Sequence, residues 1–166
     1  MDGNFLISVR PVTLTDTARV RVLHFPKLLS PGGFHVVITL KGRVVPGHGH
    51  FGKRLQRENF RVACFRVTGE WFIKGTVNVE VGRCIQIKED YRVLGNDVCE
   101  DEDFIFEKCL INGTPAYRVR PSHPRTGSGG HGDDTLEIIS SQEIPNVATS
   151  TEVKITLMRD DIKPLD

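Results

Sequence analysis

Apolar and polar side chains alternate along most of this chain, and a two-residue period restricts it to a fold built from strands. Phe5, Ile7 and Val9 alternate with Leu6, Ser8 and Arg10. Beyond Pro11 the apolar parity moves to Val12 and Leu14, the shift that a bulge or kink at a proline produces. Thr15 to Thr17 reads as a turn. Ala18, Val20 and Val22 alternate with Arg19 and Arg21, Phe34 to Lys41 is a β-branched run, and Phe60 to Val67 sets Val62, Cys64 and Phe65 beside Arg61 and Arg66. No window of about a dozen residues is read as repeating apolar side chains at helical spacing, so helices are not expected.

Further strands are expected at Trp71 to Val81, Cys84 to Val93, Phe104 to Ile111, Ala116 to Arg120, Leu136 to Ser140 and Val153 to Met158, between Gly, Pro, Asn and Asp punctuation. Asn112-Gly113 is the strongest local signal, because both residues tolerate the positive φ of a type I′ hairpin turn. A two-residue turn there sets Phe106 opposite Val119 and Glu107 opposite Arg118, an apolar pair and an opposite-charge pair. At Gly82 to Cys84 a three-residue loop would pair Val81 with Ile85 and Val79 with Ile87. The expected class is all-β: a mainly antiparallel β-sandwich, with the jelly roll as one form of it, of about eight to ten strands.

Two segments read as excursions from the sheets, Pro46 to Asn59 and the glycine-rich Pro121 to Asp134. Only about 30 residues follow the Gly/Ser stretch, too few for a second domain, so residues 1–166 are expected to form one. The longest apolar runs are a few residues, against the ~20 of a membrane-spanning helix, and the first residues lack a secretory signal pattern. A cytoplasmic location, or a particle assembled there, is expected. The 4 cysteines, Cys64, Cys84, Cys99 and Cys109, form no CxxC pair and read as reduced thiols.

The net charge is +1, but it is unevenly spread. Residues 1–83 hold 13 Lys and Arg against 5 Asp and Glu, and residues 84–166 hold 9 against 16, so the halves carry +8 and −7. If basic Lys53, Arg54 and Arg57 and the acidic run Glu100, Asp101, Glu102 and Asp103 lay at opposite ends, copies would stack head to tail. Arg54, Arg57, Arg61 and Arg66 with Phe51, Phe60 and Phe65 are also the one basic stretch interleaved with aromatics, the composition of a nucleic-acid contact. In a strand, however, Arg61 and Phe65 would share one face and Phe60 and Arg66 the other, so no clean binding face forms.

For metal chemistry the candidates are His48 and His50, two residues apart and on one face of an extended chain. Gly42, five residues and then His48-Gly49-His50 resemble part of the first cupin motif over nine residues, which implies a metal- or small-molecule-binding barrel. The acidic ligand of that motif falls here at Arg54 and Leu55, and no second motif follows, so no metal or other cofactor is assigned. No G-x-S-x-G elbow and no P-loop lysine are present. Without a closed catalytic motif, the sequence leads to a non-enzymatic structural module of a larger assembly. Its partners are expected to be further copies or other protein subunits, as in a virus capsid, cement or tail component, with nucleic acid the alternative and no membrane.

Overall fold

The structure is a computed structural model that describes residues 18–23, 35–47, 50–123 and 134–160. In chain order it runs β1 (Ala18–Leu23), β2 (His35–Val45), α1 (His50–Arg54), α2 (Glu58–Thr68), β3 (Val77–Glu80), β4 (Tyr91–Val93), α3 (Gly95–Val98), β5 (Phe104–Ile111), β6 (Thr114–Pro121), β7 (Thr135–Ile139) and β8 (Glu152–Asp160). Among the described residues no helix is long and apolar enough to cross a membrane.

All strand pairs are antiparallel, and the pairings β2–β3–β7–β6–β5–β8 return to β2, so these six strands close into a barrel. Every ring strand sends alternate side chains into one buried cluster: Leu40 and Val44, Val79, Cys109 and Ile111, Ala116, Leu136 and Ile138, and Val153, Ile155 and Leu157. Closure satisfies backbone groups that would otherwise stand at sheet edges. β1 and β4 lie outside the ring, on β2 and β5. β8 lines one edge of β2 from His35 to Arg43, while the other edge is shared by β1, up to Leu40, and β3, from Arg43 onward. Gly42 stands at that change of neighbour. A Cβ there would come within 2.5 Å of Val79 and 2.7 Å of the Glu80 carbonyl, so only glycine lets β3 approach.

The antiparallel, strand-dominated framework is as the alternation implied. The pairings form one continuous network, because β8 bridges β2 and β5, and do not divide into the two facing sheets of the expected sandwich. The hairpin about Asn112-Gly113 forms in the expected register, with Phe106 opposite Val119 and Glu107 opposite Arg118. Asn112 at φ 51° and Gly113 at φ 84° supply the left-handed turn.

Four expectations are corrected. Phe60 to Val67 is not a strand but most of α2. Trp71 to Val81 and Cys84 to Val93 shrink to Val77–Glu80 and Tyr91–Val93. The Gly82 hairpin does not form, since β2 and β7 already occupy both edges of β3. The expected absence of helices does not hold: the excursion Pro46 to Asn59 leaves the sheet as expected, but it contains α1 and the start of α2. The elements expected in residues 5–17 lie outside the described residues, as does most of the glycine-rich segment.

Candidate functional site

A second buried cluster forms where α1 and α2 cover the outer face of β5, β6 and β7. Phe51 and Leu55 from the first helical turns, and Phe60, Ala63 and Cys64 from α2, meet Phe104, Phe106, Val119 and Ile139. Phe60 packs edge-on against both Phe51 and Phe104, at centroid distances of 5.3 and 5.2 Å. Phe60, Ala63, Cys64 and Val67 are spaced i, i+3, i+4, i+7, the buried stripe of a helix. α2 begins with Glu58, carries Arg66 in its last turn, and stops at Gly69, whose φ of 77° lets its N–H donate to the Phe65 carbonyl.

Once this segment is a helix, its solvent side acquires an order that a strand would have destroyed. Arg57, Arg61 and Phe65 follow one another at i, i+4 and i+8 along one face. The Arg61 guanidinium lies 5.4 Å from the Trp71 ring centre, and the Phe65 ring stacks on Trp71 at 4.8 Å and 18°. Trp71 and Ile73 flank buried Phe72 in an extended segment, so both point outward. Phe65, Trp71 and Ile73 are 38%, 47% and 45% exposed, three large apolar side chains side by side in solvent.

At the start of α2 the basic and acidic candidates meet within one molecule. Arg54 bonds Glu100 at 3.1 Å and approaches Glu102 at 3.8 Å, and Arg57 reaches Glu100 at 2.5 Å. Arg54 also caps the Phe104 ring at 5.0 Å. Burial would raise the Glu100 carboxyl, but hydrogen bonds and charge from Arg54 and Arg57 outweigh it and hold it below the usual carboxylate range. Asp103 accepts from the Gly95 N–H and pairs with Arg92, so the acidic run folds back over α3. Asp101 stays exposed. The opposite-ends arrangement behind head-to-tail stacking is therefore not present. His50, Lys53, Arg54, Arg57 and Glu100 instead line a shallow cleft of about 250 Å³.

His50 opens α1, so the extended geometry that would pair it with His48 is not found at His50; His48 lies outside the described residues. Among the described residues no three His, Cys, Asp or Glu side chains converge as metal ligands. Cys64 and Cys109 are buried and Cys84 and Cys99 exposed, all as free thiols. Burial pushes Cys64 and Cys109 up to about 12, which keeps them uncharged in their clusters. The sequence matches no protein-family model and no curated protein.

The sequence reading identified the basic residues but passed over Trp71 and Ile73, the exposed apolar part of the site beyond α2. The signal was present in Trp71-Phe72-Ile73 after the Thr68-Gly69 stop, where one buried ring alternates with two apolar side chains left without a sheet partner.

Proposed function

We propose that this chain is a non-enzymatic binding module of a larger assembly, and that it engages its partner through the face of α2 that carries Arg61 and Phe65, together with Trp71 beside it. One observation carries the reading: Phe65 and Trp71 stack on each other in solvent, beside Ile73, on a chain with a complete barrel core of its own. Adjacent exposed apolar side chains of this size mark interaction surfaces, and Trp and Arg are the side chains that dominate contact energies. A capsid, cement or tail component of a virus particle is one concrete form of such a module, as is a nucleic-acid-bound complex.

The test is site-specific photo-cross-linking in cells that make the protein, with a benzophenone side chain in place of Trp71 or of Lys154 on the outer face of β8. The expected outcome is a discrete adduct from position 71 and none from position 154. No adduct from 71, or one from 154 alone, overturns the reading whatever the partner is.

A further inference from the structure

Resting on that reading of the contact face, we infer that its partner is single-stranded nucleic acid, with an unpaired base stacked on Trp71 and the adjoining phosphates running along Arg61 and Arg57 toward Lys53.

Arg61 and Phe65 stand one turn apart on the same helix face, and both contact the indole. Trp71 is 47% exposed, so about half of its surface is within reach of a ligand. A flat, half-exposed ring held by an aromatic and a guanidinium is a stacking platform, and every base has a π-face to offer it. A duplex keeps its base faces inside the stack, so the platform selects unpaired strands.

Residues 50–75 carry 6 Lys and Arg against only 2 acids, Glu58 and Glu70. Glu70 is turned to a hydrogen bond with Ser141. Arg54 and Arg57 are partly offset by Glu100, but Lys53 and Arg61 make no ion pair among the described residues. From Arg57 to Phe65 the helix advances about 12 Å, so cationic groups lead away from the platform to the cleft lined by His50, Lys53, Arg54, Arg57 and the one carboxylate, Glu100. An apolar protein partner would find the aromatic step but leave the charges of Lys53 and Arg61 uncompensated. A polyanion whose bases can stack satisfies both.

The chain holds 1 tryptophan, so its intrinsic fluorescence reports Trp71 alone. The full-length protein is titrated with oligo(U) and oligo(dT), with a duplex of the same length for comparison, and variants are read by anisotropy of an end-labelled strand. Saturable quenching by the single strands and not by the duplex is expected, with Trp71→Ala weakening binding by about tenfold or more. Arg61→Gln, which leaves the ring in place, lowers the slope of log affinity against log salt by roughly 0.7, and Lys154→Ala changes nothing. A preference for one strand over the other identifies RNA or DNA as the ligand. Absence of quenching, equal binding of duplex, or unchanged affinity in Trp71→Ala together with an unchanged slope in Arg61→Gln overturns the inference. If oligonucleotides fail while position 71 still cross-links to a protein, the nucleic-acid assignment falls and the contact face stands.

Discussion

Glu107 and Arg118 face each other across the β5–β6 hairpin and form an ion pair at 3.3 Å with side chains only 0% and 3% exposed. They lie on the same strand face as Cys109 and Ala116, so the pair is enclosed at the barrel interior. Arg118 also donates to the carbonyls of Ile85 and Gln86 and thereby pins the irregular segment after β3. Arg118→Met removes the cation paired with a buried carboxylate and is expected to cost about 3–5 kcal/mol in urea unfolding. Glu107→Leu combined with Arg118→Met is expected to recover a large part of that loss. Equal destabilisation by the single and double variants would contradict the pairing.

Thiol chemistry separates the four cysteines. Cys64 and Cys109 are buried with their thiols held neutral, whereas Cys84 and Cys99 face solvent. Titration of the folded protein with an aromatic disulfide reagent is expected to show two fast thiols, and all four after denaturation. Mass spectrometry assigning a fast label to Cys64 would contradict the packing of α2.

Two carboxylates respond to pH with opposite signs. Glu100 is held below its usual range in the folded chain, so its pairs with Arg54 and Arg57 contribute fully above the ordinary carboxylate range and are lost as pH falls through the depressed value. Glu137 is raised, chiefly by burial and despite a hydrogen bond from Thr76, so its ionised form costs stability above the raised value and that cost disappears as pH falls. Glu137→Gln is expected to raise the thermal midpoint at neutral pH and leave it little changed in acid. Glu100→Gln is expected to lower the midpoint at neutral pH and to flatten the acid limb.

The β5–β6 hairpin was legible because its information is local: a turn that needs positive φ, flanked by side chains that match across two strands. α2 was not, because Phe60, Val62 and Cys64 satisfy a two-residue period while Phe60, Ala63, Cys64 and Val67 satisfy the helical one. What decides between them is distant in sequence, the rings of Phe104 and Phe106 awaiting a helix face. The charge asymmetry misled for a related reason. Arg54 and Glu100 are 46 residues apart, and only the fold shows that they neutralise each other. The site emerged when the corrected helix set Arg57, Arg61 and Phe65 on one face.

The most direct test of that face is a heteronuclear NMR titration of the full-length protein with single-stranded oligo(U). The account predicts that the single indole N–H signal of Trp71 and the backbone amides of Arg57, Arg61 and Phe65 shift together and saturate, while those of Lys154 and Thr156 on β8 stay in place. Shifts confined to β8, or an unmoved indole signal at saturating oligonucleotide, would contradict it.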